Sequence, residues 1–200
     1  MTAVDAERDA VAAALPTGAD VRVLTVGVGP AAAAAGAATA LAGDGSVDLV
    51  LCAGIGGGFA PLGPGEIAVA AASVFADLGA ETAAGFLPLA ELGFGVNRYD
   101  VPPALAVQLA DRTGGRLGTI LTVATATGTA ASAESLRARY PDAVAEAMEG
   151  AGVAAAAQAH GVPFAELRAV SNRVGPRDRD AWEVPLALDA LGTAVAAVLA

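Results

Sequence analysis

The stretch AVSNRVGPRDRDAW, residues 169–182, gathers an amide, three arginines, two aspartates and the only tryptophan of a chain otherwise rich in alanine, valine, leucine and glycine. Its first residues continue an apolar segment, which predicts a strand that ends at Asn172. Gly175 and Pro176 then predict a loop. Within residues 173–182, we expect the arginines and aspartates to pair with each other and to hold this loop over a pocket.

Outward from this run, short β-branched or apolar segments alternate with longer alanine-rich segments and Gly/Pro punctuation. This pattern is typical of an α/β domain with a mainly parallel or mixed sheet. Segment 76–100 has mixed signals and several glycines, and we expect an irregular excursion that covers a pocket. The predicted strands are 21–28, 47–53, 66–75, 116–125, 143–149 and 164–172. The predicted helices are 5–15, 30–41, 102–113, 132–139, 150–160 and 183–199.

Length and charge limit the classes of function. The 200 residues fit a single domain, residues 1–200, because a core of this size buries roughly two-thirds of the surface of the unfolded chain. The formal charge of −10 argues against nonspecific binding to nucleic acid or to anionic membranes, which depends on Lys and Arg. No stretch has the large apolar side chains of a membrane span. We therefore expect no nucleic-acid partner and no membrane partner.

The N-terminus and the single cysteine bear on the compartment and on metal binding. Met1 is followed by Asp5 and Glu7 rather than by a cationic and then apolar leader, so we expect a cytoplasmic protein. Cys52 lies in the apolar run VDLVLCA, where it can form neither an intrachain disulfide nor a multi-cysteine metal site. We expect a buried core residue there, and no metal.

Two glycine-rich segments follow predicted strands. The first, GVGPAAAAAG (27–36), could face a phosphate with its backbone amides, as in dinucleotide-binding proteins. The next strand, however, ends in Cys52-Ala53-Gly54 rather than in an acid, which argues against a dinucleotide. The second, AGIGGGF (53–59), predicts a turn in which Gly56 and Gly57 approach a flat ligand, with a tight turn alone as the alternative.

The segment EAMEGAGVAAAA, residues 146–157, places one carboxylate at the start of an apolar helix. Glu149 is flanked by Met148, Gly150 and Ala151, and a carboxylate in such surroundings needs hydrogen-bonding partners. A pair of hydroxyl groups on a ligand would satisfy it.

AMEGAGVA, the glycine segments and SNRVGPRDRDAW occur in an order that resembles the purine nucleoside phosphorylase and nucleosidase family over nearly the whole chain. Within it, SNRVGPRDRDAW followed by an amphipathic helix is similar to the futalosine hydrolases, the nucleosidases of the alternative menaquinone pathway. The resemblance implies a three-layer nucleoside phosphorylase-like fold, with a central mixed sheet flanked by helices. It also implies a small nucleoside substrate, no metal or organic cofactor, and a homo-oligomer that completes the pocket.

The resemblance assigns roles to individual residues. Glu149 matches the glutamate that accepts hydrogen bonds from the ribose 2′ and 3′ hydroxyls, and Met148 matches the methionine packed under the sugar. Asn172 matches the position that reads the purine. An asparagine side chain both donates and accepts hydrogen bonds and suits a 6-oxopurine, whereas an ionised aspartate only accepts and suits a 6-amino group. We therefore expect hypoxanthine to be the leaving base.

The positions of the charged residues in the sequence bear on which groups supply the nucleophile and the proton. The family phosphorylases bind phosphate with arginines from the early part of the chain, and no arginine occurs between Arg22 and Arg98, so water is favoured. Glu7 matches the glutamate that positions this water, with an ordinary acid of the first helical turn as the alternative. The proton for the leaving base comes from Asp178, Asp180 or water.

Two departures from the family leave alternatives open. Ala147 stands where adenine-specific nucleosidases carry a second glutamate, which argues against an adenine nucleoside. Met1 stands where the first family strand should end, so we expect either that the true start lies upstream or that this strand is missing, which would leave the sheet with an unpaired edge or a gap. The alternatives are another 6-oxopurine nucleoside hydrolase or phosphorylase, and a purine-binding module without catalysis.

Overall fold

The computed structural model of the chain describes residues 1–43 and 46–200. All six predicted helices are confirmed, with ends that differ from the prediction by at most two residues. The helices are α1 (Asp5–Ala14), α2 (Pro30–Ala42), α3 (Pro103–Thr113), α4 (Ala130–Arg139), α5 (Gly150–Ala159) and α6 (Val184–Leu199). The strands are β1 (Val50–Gly58), β2 (Ile67–Phe75), β3 (Gly79–Thr82), β4 (Gly85–Pro88), β5 (Arg98–Asp100), β6 (Arg116–Thr122), β7 (Ala143–Ala147) and β8 (Phe164–Arg173).

The main sheet is mixed and has the strand order β5-β2-β6-β7-β1-β8. β1 runs parallel to β8, and β6 runs parallel to both β2 and β7, whereas the β1–β7 and β2–β5 pairs are antiparallel. β2 also pairs with β8, so the sheet curls until strands from its two sides meet. Helices α2 and α5 pack together, and α6 packs against α1 and α3. The predicted fold class, a central mixed sheet flanked by helices, is confirmed.

Small residues let α2 and α5 approach each other closely. Ala33 and Ala37 of α2 are fully buried, and Gly152 of α5 lies against the main-chain carbonyl of Pro30, where a side chain would not fit. The start of α2 is fixed by Gly29, whose φ of 88° favours glycine, and by proline at the first helical position. The N-termini of the two helices are therefore held side by side.

The glycine-rich segment 53–59 is a strand for most of its length, and the predicted turn is wrong. β1 continues to Gly58 in register with β8, with a bulge between Gly56 and Gly57. Cβ atoms on these glycines would meet neighbouring atoms, such as the carbonyl oxygen of Glu146 at 2.7 Å from Gly56. The glycines therefore allow close packing between strands rather than a change of chain direction.

The predicted strand at 21–28 is wrong for most of its length. Among the described residues, only Thr25 of this segment belongs to a ladder, in an isolated parallel bridge with Thr2. Met1 and Thr2 fill the space between this segment and β1, since the amide of Thr2 donates to Leu24 and the amide of Ala53 donates to Met1. Residues 20–24 and 46–51 line a groove of about 630 Å³. A ladder needs a neighbouring strand, and among the described residues only Thr2 provides a partner for this segment.

Segment 76–100 is more regular than expected. β3 and β4 form a separate two-stranded hairpin, and β5 adds an antiparallel strand to β2 at the edge of the main sheet. The guanidinium of Arg139 lies 4.6 Å from the centre of the Phe86 ring, which anchors the hairpin to α4. The prediction of an irregular excursion was wrong for these strands.

Among the described residues, no helix combines sufficient length with sufficient apolar character to cross a membrane.

Candidate active site

A cluster of buried charges lies where β1, β8 and the starts of α1 and α5 meet. Glu7, Glu149 and Arg168 belong to it, and their exposed fractions are 3%, 5% and 1%. The main chain of Ile55 links them, because its amide donates to Glu7 Oε1 at 2.8 Å and its carbonyl accepts from Arg168 Nη1 at 3.5 Å. Two carboxylates that are far apart in the sequence are therefore linked through Arg168 and the main chain of Ile55.

Glu149 occupies the N-cap position of α5, and its carboxylate is held from three sides. Its Oε1 accepts from the amide of Gly29 at 3.2 Å, and its Oε2 accepts from Arg168 Nη1 at 3.1 Å and from the amide of Met148 at 3.3 Å. The close packing of α2 on α5 brings the Gly29 amide within reach. A carboxylate oxygen can accept more than one hydrogen bond, so Glu149 retains capacity for a ligand hydroxyl.

The carboxylate of Glu7 contacts the main chain of two elements. Its Oε2 accepts from the amides of Ala3 and Val4 at 2.8 Å and 3.3 Å, as an acid of the first helical turn does. Its Oε1 reaches across to the amide of Ile55 in β1. A Cβ on Gly54 would lie 2.7 Å from both Glu7 Oε1 and Arg168 Nη1, so glycine is needed beside the cluster. Glu7 is therefore held at the cluster by three amides.

Arg168 and Glu166 belong to the cluster, and the sequence analysis missed them. They are two residues apart in β8 and therefore point to the same face of the sheet. Arg168 Nε donates to Glu166 Oε1 at 3.0 Å, and Arg168 Nη2 donates to Cys52 Sγ at 3.2 Å. Burial raises the pKa of Cys52 to about 12, so the buried thiol is neutral, as its predicted core position implies. Two charged residues at alternate positions of an apolar strand were the available signal.

The other predicted site residues lie near the ends of β1, β7 and β8. Gly57 pairs with Asn172 across β1 and β8, and a Cβ on Gly57 would lie 3.5 Å from Asn172 Nδ2. Asn172 Oδ1 accepts from Ser171 Oγ at 2.8 Å, and its Nδ2 donates to the carbonyl of Arg173 at 3.0 Å. Gly56, Gly57, Met148 and Asn172 are all partly exposed, as a ligand contact requires.

Two further carboxylates hold the loop that follows β6. Glu146, which pairs with Gly57, accepts from the amide of Thr127 at 2.8 Å and from its hydroxyl at 2.5 Å. Asp77 accepts from the amide of Ala124 at 2.8 Å. Burial raises the pKa of Glu146 above its ordinary value, and the hydrogen bonds from Thr127 oppose this shift. The sequence analysis also missed these residues, which fix the loop beside the Gly57–Asn172 pair.

The loop at 173–182 is held differently from the prediction. In the described chain, Arg177 and Arg179 lie over the ring of Trp182, with their guanidinium carbons 5.3 Å and 5.8 Å from its centre. Asp178 Oδ1 accepts from the amide of Asp180 and so begins a short 3-10 helix. The expectation that these arginines pair with aspartates of the loop was therefore wrong, because the indole ring takes both guanidinium groups.

Known proteins are similar to this chain over most of its length. The chain is 56% identical to the futalosine hydrolase of Streptomyces coelicolor, over an alignment that covers 97% of this chain and 91% of that protein. It is 50% identical to the futalosine hydrolase of Acidothermus cellulolyticus, over 99% of this chain and 88% of that protein.

Solved structures show the same fold at lower identity. The futalosine hydrolase of Helicobacter pylori has a TM-score of 0.78 at 18% identity, with 98% of this chain and 94% of that chain covered. An MTA/SAH nucleosidase of Colwellia psychrerythraea in complex with adenine has a TM-score of 0.81 at 21% identity, with 99% and 92% covered. The family model described as Phosphorylase superfamily matches residues 6–200. With this match, the curled mixed sheet and the two closely related hydrolases, the chain belongs to the phosphorylase superfamily.

Proposed function

We propose that this protein hydrolyses the N-ribosyl bond of futalosine and releases hypoxanthine and dehypoxanthine futalosine, as a step of menaquinone biosynthesis. The observation that carries the proposal is the buried link from Glu7 through Ile55 and Arg168 to Glu149. The two relatives at 56% and 50% identity are futalosine hydrolases, which supports this substrate.

The reaction requires the base to leave with the bonding electrons while the ribosyl group gains positive charge. Glu149 accepts hydrogen bonds from the ribose 2′ and 3′ hydroxyls and stabilises the developing cation electrostatically. Met148, next to it in the chain and partly exposed, packs under the sugar. Gly56 and Gly57, partly exposed at the end of β1 beside Asn172, present their main chain to the flat base.

Water rather than phosphate is the proposed nucleophile. Arg168 is already bound to two carboxylates, those of Glu149 and Glu166, so it has little capacity for a dianion. Glu7 is held by three amide donors at the same cluster and can accept a hydrogen bond from an attacking water. In this scheme the leaving base takes its proton from water or from Asp178 or Asp180 of the loop that follows β8.

Release of hypoxanthine tests the proposal directly. The purified protein is incubated with futalosine and, separately, with inosine, with and without inorganic phosphate, and free hypoxanthine is measured. Release from futalosine without phosphate is the expected result. Strict dependence on phosphate would instead identify a phosphorylase, and release from inosine alone would indicate a different 6-oxopurine nucleoside. Tight binding of hypoxanthine without any turnover would favour a purine-binding module.

Asn172 is the proposed reader of the base, and Asn172→Asp tests it. A 6-oxopurine presents acceptors at O6 and N7, to which an amide donates and an ionised carboxylate does not. We expect kcat/KM for hypoxanthine release to fall on the order of 100-fold, the cost of a lost hydrogen bond plus an unpaired charge. Steady-state kinetics with circular dichroism as a check of folding measure this, and unchanged kinetics would remove Asn172 from base recognition.

We propose a homo-oligomer in which segment 89–97 contributes to the contact between copies. Phe94 and Val96 lie two residues apart and are 81% and 54% exposed. Together they present apolar surface that a contact between copies would cover. Phe94→Ser is expected to shift the sedimenting mass toward the 19.3 kDa of one chain. Val107→Ser, at an apolar position of α3 that is 49% exposed, is the matched control and should leave the mass unchanged. A wild-type protein of 19.3 kDa in solution would rule out the oligomer.

We also propose that residues 1–200 form a single nucleosidase domain that acts in the cytoplasm on a small nucleoside substrate, without metal or organic cofactor.

A further inference from the structure

Glu166 is a buried carboxylate that the proposed reaction does not use. Its exposed fraction is 0%, and burial raises its pKa above the ordinary value, while the charge of Arg168 opposes that shift. Apolar side chains in place of both Glu166 and Arg168 would avoid the cost of burying the two charges. Stability alone therefore does not account for the buried pair.

One oxygen of Glu166 sets the orientation of Arg168. Oε1 accepts from Arg168 Nε at 3.0 Å, at the edge of the guanidinium where the side chain enters the planar group. Arg168 Nη1, at the opposite edge of the guanidinium, donates to Glu149 Oε2 at 3.1 Å. Because the guanidinium is rigid and planar, fixing the Nε edge fixes the direction of Nη1.

The other oxygen of Glu166 lies against the turn that carries Glu149. Oε2 has no hydrogen-bond partner in the described chain, and it lies where a side chain on Gly150 would have to sit. Gly150 is the first residue of α5 and directly follows Glu149. Glu166 is therefore connected to Glu149 by two indirect routes, through Arg168 and through the start of α5.

We propose that Glu166 is a positioning residue that holds Glu149, through the Nε edge of Arg168 and the start of α5, in the orientation that binds the ribosyl group. This inference rests on the proposed function, since it needs Glu149 to bind the sugar. The orientation of Glu149 depends on the position of the accepting oxygen of Glu166 rather than on the charge of Glu166. A displacement of the carboxylate by about 1 Å is enough to affect catalysis.

Two conservative variants separate position from charge. Glu166→Gln keeps an accepting oxygen at the same length and removes the charge, whereas Glu166→Asp keeps the charge and withdraws the oxygen by one methylene. We expect kcat for release of hypoxanthine to fall about 10- to 100-fold in Glu166→Asp and to stay within about threefold of wild type in Glu166→Gln. The dissociation constant for free hypoxanthine, measured by calorimetry, should be the same in all three proteins.

Thr119→Val is the matched structural control. Thr119 is fully buried in β6, and its hydroxyl donates to Asp142 Oδ2 at 2.6 Å, away from the cluster. This variant should lower the melting temperature without changing kcat. A wild-type kcat in Glu166→Asp, or a kcat in Glu166→Gln as low as in Glu166→Asp, would overturn the proposal.

Failure of the proposed function remains distinguishable from failure of this inference. If the wild-type protein releases no hypoxanthine from any nucleoside, the proposed hydrolysis is wrong. Glu166 is then tested by the ratio of the dissociation constants for inosine and hypoxanthine, because only inosine carries the ribosyl group. A ratio that rises in Glu166→Asp but not in Glu166→Gln supports the positioning role, and equal ratios in the three proteins overturn it.

Discussion

Glu149→Gln is expected to reduce kcat for hypoxanthine release by about 100- to 1,000-fold, the range found when one preorganised electrostatic contact to a transition state is removed. The substitution keeps the size of the side chain but replaces an accepting oxygen with an NH₂ group. That group cannot accept from the amides of Gly29 or Met148, or from a ribose hydroxyl. It also removes the negative charge that faces the developing ribosyl cation. Single-turnover measurements of hypoxanthine release would give the rate of the chemical step.

Glu66→Gln is the matched control for this substitution. Glu66 is an exposed glutamate before β2, where its carboxylate accepts from the amide of Gly63 at 2.6 Å. The Glu66 side chain has no contact with the cluster of Glu7, Glu149 and Arg168, so kcat of the Glu66→Gln variant should equal kcat of the wild type. A kcat within twofold of wild type in Glu149→Gln would show that Glu149 does not act on the ribosyl group.

The sequence could predict the parts of the site that depend on local composition. Glu149 stood out because a carboxylate at an apolar helix start has few partners nearby, and the structure supplies them from Gly29 and Arg168. Asn172 stood out at the end of a strand, and it lies over Gly57. Glu7 was ambiguous from the sequence, and its two carboxylate oxygens do serve two different elements.

The parts that depend on distant neighbours could not be predicted. A run of glycines after an apolar strand predicts a turn, but Gly54 and Gly56 stay in β1 because Arg168 and the carbonyl of Glu146 fill the space beside them. The segment 21–28 has the composition of a strand, yet a ladder also needs a neighbour, and only Thr2 provides one among the described residues. Composition alone contains neither fact.

Arg168→Met is expected to lower the free energy of unfolding by about 3–5 kcal/mol, the cost of removing one partner from a buried ion pair. Methionine fills much of the same volume but leaves the carboxylates of Glu149 and Glu166 without their shared cation. Both are buried, so water cannot replace the lost hydrogen bonds. For a chain of this length, such a loss corresponds to a melting temperature lower by roughly 10 °C. Urea unfolding followed by circular dichroism measures the change.

A double variant identifies the cause of this loss. Glu166→Gln added to Arg168→Met removes one of the two carboxylates left without a cation, so the double variant should regain part of the lost stability. If Arg168→Met lost stability only through poorer packing, the second substitution would restore nothing. Arg137→Met, at an exposed position of α4, should change the free energy of unfolding by less than about 0.5 kcal/mol. If Arg168→Met is as stable as Arg137→Met, the buried charges do not depend on Arg168. In that case no stability is lost for the double variant to restore, and the amides of Gly29 and Met148 alone hold Glu149.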